Sequence, residues 1–313
     1  MITRIRLAAV TGVLLALAAC GGPVAGDPSA SPSPSPAAPF DVSSVGPIVS
    51  SGTQCESQGC LVAGSDQRLS LIVADTSDPS HNAVADATVT VQVLDVNPGA
   101  GEKAIGPEQA ATYHGAGLQQ EGINRGVYVV RVKFDRPGAY LVSAHVKKGQ
   151  KEATIRTPLA VAPADPGITV GAPAPLIHNL TAADVKDISI IDTAVHPDDM
   201  HYTTVADAIA AHHPIVVYLG TPGFCQSKTC APQVGAIQPL EPTYHPRGVD
   251  FAHIETYKGG HPDAQQTLNP DFAAFKVLSE PWVFIVDRNG RVAAKFSGAT
   301  ATDEIQAALD AVV

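Results

Sequence analysis

The chain has 313 residues and a formal net charge of -10, from 20 Lys and Arg against 30 Asp and Glu. An acidic balance of that size argues against a nucleic-acid partner and against polybasic attachment to acidic lipids. The length suffices for two ordinary domains.

At the N-terminus, Arg4 and Arg6 form a positive n-region and Leu7 to Ala19 a short apolar h-region. The stretch is too short for an ordinary transmembrane helix and reads as an export signal over residues 1–19. The phrase Leu17-Ala-Ala-Cys20-Gly21 resembles the lipobox of bacterial lipoproteins. That resemblance makes Cys20 the lipidated first residue of the mature protein, held by its acyl anchor at the extracytoplasmic face of the cell membrane. Residues 20–44 are rich in Pro and Ser and read as a semi-extended tether, reaching roughly 50 Å at about 3 Å per residue. No other stretch is long and apolar enough to span a bilayer. Export places the remaining four cysteines in an oxidising compartment, where disulfides persist. They fall into two pairs of identical spacing, Cys55-Cys60 and Cys225-Cys230.

Over residues 45–163 the apolar residues alternate in short runs broken by Gly, Pro, Asp and Asn. Strands are predicted at Leu69 to Ala74, Ala87 to Leu94, Gly126 to Phe134, Ala139 to Val146 and Thr157 to Val161. Five or more such strands argue an antiparallel β-sandwich, immunoglobulin-like in the loose sense. The phrase from Gly126 to Val142 resembles the C-terminal hairpin of small extracytoplasmic sandwich modules of the FixH and YtkA type. Cys55-Cys60, with no apolar strand before it and no helix start after it, reads as a structural disulfide; electron passage between the two pairs would require them to lie adjacent. His81, His114 and His145 are scattered and make no catalytic constellation.

Residues 164–187 lose the alternation, gather prolines and read as a linker and lead-in. Its Val170-Gly-Ala-Pro-Ala-Pro175 phrase resembles the lead-in of TlpA-type and peroxiredoxin-type redoxin domains. Beyond it, Thr203 or Thr204 can cap a helix beginning at Val205. A buried strand is predicted over Pro214 to Leu219, a helix through Val234 to Leu240, and a strand over Val249 to Tyr257. Another strand opens at Trp282 after Pro281, followed by the Asn289-Gly290 turn of a hairpin.

The strand at Pro214 empties into Gly223-Phe-Cys225-Gln-Ser-Lys-Thr-Cys230. Pro232 is tolerated only in the first turn of a helix, so Cys230 belongs near a helix N-terminus, where a thiolate is favoured. Residues 188–313, with strand, cysteine pair, helix, X-Pro before a strand, hairpin and final helix, resemble the thioredoxin-like fold of TlpA-type and Sco-type redoxins. The resemblance implies an α/β domain, a cis Pro281 beside the disulfide, and thiol-disulfide oxidoreductase activity on protein thiols and disulfides. It assigns attack to Cys225 and resolution to Cys230, whereas the helix dipole favours the thiolate of whichever sulfur sits at the helix end. Four intervening residues turn about 500° around a regular helix, so Cys225 should lie in the loop before the helix, on an arch back to Cys230. Lys228 lies on that arch, within reach of a thiolate. The buried carboxylate and the Trp-Cys pairing of many thioredoxins are absent, with Gly223-Phe224 in the preceding positions.

Two rival readings use the same cysteines. A peroxiredoxin needs Thr three residues before its peroxidatic cysteine, where this chain has Pro222 or Ser227. A Sco-type copper protein would join Cys225 and Cys230 to a histidine among His178, His196, His201, His212, His213, His245, His253 and His261. The Sco spacing, however, has three intervening residues and a histidine farther downstream. A redox-inactive binding module with a structural Cys225-Cys230 disulfide is the third alternative. No resident cofactor is expected beyond that copper alternative.

Overall fold

The structure is a computed structural model that describes residues 38–44, 61–120, 122–165, 167–277 and 279–313. Cys20, Cys55 and Cys60, and with them the expected export signal, lipidation and first disulfide, lie outside the described residues.

The alternating segments form strands β1 (Phe40–Ser44), β2 (Asp66–Asp75), β3 (Thr88–Asp95), the short β4 (Lys103–Ala104), β5 (Gln109–Ala110), β6 (Thr112–His114), β7 (Gln119–Gln120) and β8 (Ile123–Asn124), then β9 (Val127–Lys133), β10 (Gly138–Lys148) and β11 (Lys151–Val161). Two antiparallel sheets result, in the orders β1-β2-β9-β6 and β11-β10-β3-β4, with β5 also on β3; β7 and β8 make a separate ribbon. In β3 the period-two rule is plain: Val89, Val91 and Val93 are buried while Thr90 and Gln92 are half-buried. Leu69, Leu71 and Val73 of one sheet share a core with Val142, Ala144 and Val146 of the other. Tyr140 fastens a corner by donating its hydroxyl to the Arg136 carbonyl at 2.7 Å.

Strand β1 corrects the expected 20–44 tether. Phe40 and Val42 are 1% and 3% exposed and β1 pairs antiparallel with β2, so Phe40–Ser44 belongs to the packed sheet. Only two alternating apolar residues mark it in the sequence.

The C-terminal half comprises α1 (Val205–Ala210), β12 (Ile215–Leu219), α2 (Cys230–Ile237), α3 (Glu241–Tyr244), β13 (Asp250–Ile254), α4 (Pro270–Ala274), β14 (Trp282–Val286), β15 (Val292–Ser297) and α5 (Thr302–Asp310). Thr204 caps α1, its Oγ1 accepting the Asp207 N–H at 3.0 Å. The sheet order is β13-β12-β14-β15; β12 runs parallel to β13 and antiparallel to β14. Every residue of β12, β13 and β14 is buried, which explains why these strands read as unbroken apolar runs. The β14–β15 turn closes with Gly290 N–H donating to Asp287 O at 2.9 Å, Gly290 having φ 71°.

The lead-in at 164–187 is tied down. Gly171 N–H donates to Val292 O, Val292 N–H to Ala172 O and Ala174 N–H to Gly290 O, all at 2.8–2.9 Å, so the segment runs along the β14–β15 hairpin. Nor do the two halves separate there: residues 38–313 form one compact unit. Ile72, Ala83, Leu118 and Val127 pack in the same core cluster as Tyr218, Cys230, Val234 and Ile305. Arg68 grips Glu304 with two hydrogen bonds of 2.7 Å and reaches Ala299 O at 3.2 Å. Gly117 lies against α2, where a Cβ would sit 2.4 Å from Ala236 Cα.

Candidate functional site

Cys230 is the first residue of α2, and Cys225 lies in the preceding loop, as the spacing requires. The two form a disulfide with their Cα atoms 5.9 Å apart, inside the allowed range. Lys228 N–H donates to Cys225 O at 3.2 Å, and Lys228 takes a left-handed φ of 55° to complete the arch. Its side chain is exposed. Ser227 and Thr229 join hydroxyls at 2.6 Å under the arch.

The two sulfurs are not equivalent. Cys230 is fully buried, while Cys225 is half-buried on the approach side. Cys225 Sγ accepts the Cys230 backbone N–H at 3.3 Å and lies 3.2 Å from Ser227 Oγ. The first free amide of the helix thus points at Cys225, so the helix end serves the loop sulfur. Phe224 beside it is 41% exposed and packs on His261, with ring centroids 4.9 Å apart.

The Glu280–Pro281 peptide bond is cis. Because β14 pairs with β12 from Leu219↔Trp282 onward, the residues before Trp282 arrive beside the residues after Leu219, where the cysteine loop begins. Glu280 consequently brings a carboxylate oxygen within 4.8 Å of both sulfurs. Thr256 Oγ1 donates to the Glu280 carboxylate. Burial is the main cause that raises the Glu280 carboxyl to about 7; the nearby Glu255 adds to it and the Thr256 hydrogen bond opposes it. A half-buried carboxylate thus lies beside the disulfide, supplied by Glu280 two residues before β14.

A second buried polar cluster lies behind this site. Asp192, Asp198 and His201, from the loop before α1, meet His253 of β13. Burial alone would lower His253, but the Asp198 charge and hydrogen bond, with Glu255 and Asp192, raise it to about 9. The other histidines scatter: His178, His196, His212, His245 and His261 are exposed, and His213 pairs with Asp250 at 3.0 Å. Among the described residues, the metal-capable group around Cys225 and Cys230 contains Glu280 and no histidine. His201, read from sequence as a loop residue, is in a loop but only 3% exposed. Asp192, Asp198 and Glu280 escaped the sequence reading, since nothing local ties them to partners far along the chain.

No protein-family model matches the chain, and no curated protein does. Among solved structures, it is similar to a thiol:disulfide interchange protein of the thioredoxin family from Chlorobium tepidum TLS, at 14% identity and a TM-score of 0.33, over 46% of this chain and 97% of that one. A likeness that coarse decides nothing about activity.

Proposed function

We propose that the chain is a thiol-disulfide oxidoreductase whose C-terminal half is thioredoxin-like and works through the CX4C pair Cys225 and Cys230. The observation that carries this reading is the asymmetry of the disulfide: a half-buried Cys225 sulfur receives the helix-terminal amide while Cys230 is sealed beneath it. A disulfide serving only as a staple has no need of that arrangement.

In the reductive direction, the Cys225 thiolate attacks one sulfur of a substrate disulfide. That S–S bond breaks, its other sulfur leaves as a thiolate, and Cys225 is joined to the substrate. Glu280, close to both sulfurs, takes the proton from Cys230, whose thiolate then attacks Cys225 Sγ. The second substrate sulfur leaves, and two electrons have passed from the Cys225-Cys230 dithiol to the substrate. Phe224, 41% exposed beside Cys225, borders the surface that receives the substrate chain.

The lipobox-like phrase supports anchoring through Cys20 at the extracytoplasmic membrane face, an oxidising setting in which such exchange operates. The Tyr140 corner bond supports an immunoglobulin-like reading of the N-terminal sandwich.

The deciding measurement is the reduction potential of Cys225-Cys230, read by mass spectrometry of alkylated peptides across glutathione buffers. A value between about -120 and -270 mV, with turnover of insulin disulfides, is expected. A value below about -300 mV with no turnover would make the bond a structural staple.

A further inference from the structure

The cluster behind the disulfide takes no part in the chemistry above. The side chains of Asp192, Asp198 and His253 are 0% exposed and that of His201 is 3%. One donor atom from each lies within 4.8 Å of all the others. His201 Nε2 is 3.1 Å from Asp192 Oδ2 and 3.3 Å from Asp198 Oδ1. His253 Nδ1 is 3.0 Å from Asp198 Oδ2 and 3.9 Å from Asp192 Oδ2. Four ligands held at about 2.0–2.1 Å around one ion in a tetrahedron lie about 3.3 Å from each other, in the middle of that range.

Hydrogen bonds suit such separations too, and what a metal site needs besides is a set of outer partners that orient its ligands. His253 Nε2 faces the Gly220 carbonyl at 3.2 Å while Nδ1 faces Asp198. With an ion, the Nδ1 lone pair becomes a ligand and the Nε2–H remains for Gly220 O, the outer partner that metal-bound histidines ordinarily have. The carboxylates are oriented in the same way, Asp192 Oδ1 by the Ala194 N–H at 2.8 Å and Asp198 Oδ1 by the Met200 N–H at 2.9 Å. His201 Nδ1 is buried without such a partner, so His253 is the better braced ring. Among the described residues no lysine or arginine pairs with Asp192 or Asp198. A dication would balance the charge of the two carboxylates.

We propose that Asp192, Asp198, His201 and His253 form a closed, four-coordinate site for a divalent cation of the zinc type. Two imidazoles with two carboxylates belong to zinc's donor set. The lack of thiolate disfavours copper(I), and the imidazoles disfavour magnesium and calcium. The site's place suggests what the ion holds. Thr193, next to Asp192, accepts the Gly223 N–H on Oγ1 at 3.0 Å and lies 3.2 Å from Thr221 Oγ1. The ion would fasten the loop on which the cysteine arch rests.

The test uses the whole chain with Cys225-Cys230 oxidised, so that those sulfurs offer no thiolate. The protein is incubated with zinc chloride, desalted and assayed for metal by inductively coupled plasma mass spectrometry, with affinity from chelator competition and folding from circular dichroism. About one zinc per chain is expected, retained in a Cys225→Ser/Cys230→Ser double variant and bound at least about 100-fold more weakly in Asp192→Asn and His201→Gln. Folded wild-type protein that keeps no zinc overturns the proposal, whether or not the variants fold. So does zinc that stays in Asp192→Asn and His201→Gln but leaves with the two cysteines.

Discussion

Cys225 and Cys230 are chemically unequal, and the inequality predicts which half-reaction each variant blocks. With Cys230→Ser, Cys225 still attacks and the mixed disulfide persists, because the buried resolving sulfur is gone. With Cys225→Ser, the remaining sulfur is 0% exposed and no adduct should form. Incubation with a disulfide-bonded protein substrate, followed by intact mass under non-reducing conditions, separates the two outcomes; equal adducts on both variants would defeat the assignment. Glu280 supplies a second prediction. Its carboxyl, raised to about 7 mainly by burial, accepts the Cys230 proton only when ionised, so the resolving step should rise with pH through about 7. Glu280→Gln should slow that step and remove the inflection, leaving only titration of the thiols. Stability carries the opposite sign. A carboxyl whose pKa is higher folded than unfolded favours the fold at pH below about 4.5, its usual value, and loses that contribution as pH rises to about 7. Against Glu280→Gln, wild-type Tm should therefore fall between those pH values and run parallel above them; a constant difference would contradict the burial argument. Of these groups only the cysteines were legible in the sequence, because they are close along the chain and follow a strand. Glu280 reaches them solely because β14 pairs with β12, a register no local pattern reveals.

At the scale of elements, the long strands and α1 were legible wherever periodicity or a cap was strong, as in β3 and at Thr204. The docking of the loop around Gly117 onto α2 was not, since a positive-φ glycine in a turn looks the same whether or not anything packs on it. Comparing two glycines tests the difference. Gly149 has φ 60° with nothing within 4 Å of where a Cβ would stand, whereas Gly117, at φ 75°, would drive its Cβ to 2.4 Å from Ala236 Cα and 2.7 Å from Gly235 O. Gly149→Ala should cost about 1 kcal/mol, the left-handed penalty alone. Gly117→Ala meets backbone that cannot rotate aside and should cost at least about 2 kcal/mol more. Urea unfolding of the two variants checks this, and equal losses would mean that the loop does not press on α2. The contact matters to the site because α2 carries Cys230 at its first turn.

On the scale of the whole molecule, punctuation in the sequence suggested two domains joined at 164–187, yet the packing couples them. Prolines and lost alternation mark where one architecture gives way to another; they say nothing about whether the surfaces on either side are complementary. Here Leu118, 0% exposed, belongs to the core that holds Cys230. The Arg68–Glu304 pair crosses between the halves with side chains only 12% and 11% exposed. Removing one partner strands the other in a nearly dry setting, so Arg68→Ala should cost about 3 kcal/mol. If the halves form one cooperative unit, the wild-type chain should show a single calorimetric transition with equal calorimetric and van't Hoff enthalpies. Arg68→Ala would then lower that one transition, and both the near-ultraviolet signal of Trp282 in the C-terminal half and hydrogen exchange of β3 in the N-terminal half would follow it. Two separable transitions, with Arg68→Ala shifting neither, would instead mean that the N-terminal sheets merely rest against the C-terminal half. A single transition makes those sheets part of the support for the disulfide, because α2 cannot keep its place while the loop at Gly117 and the Arg68 clamp have come away.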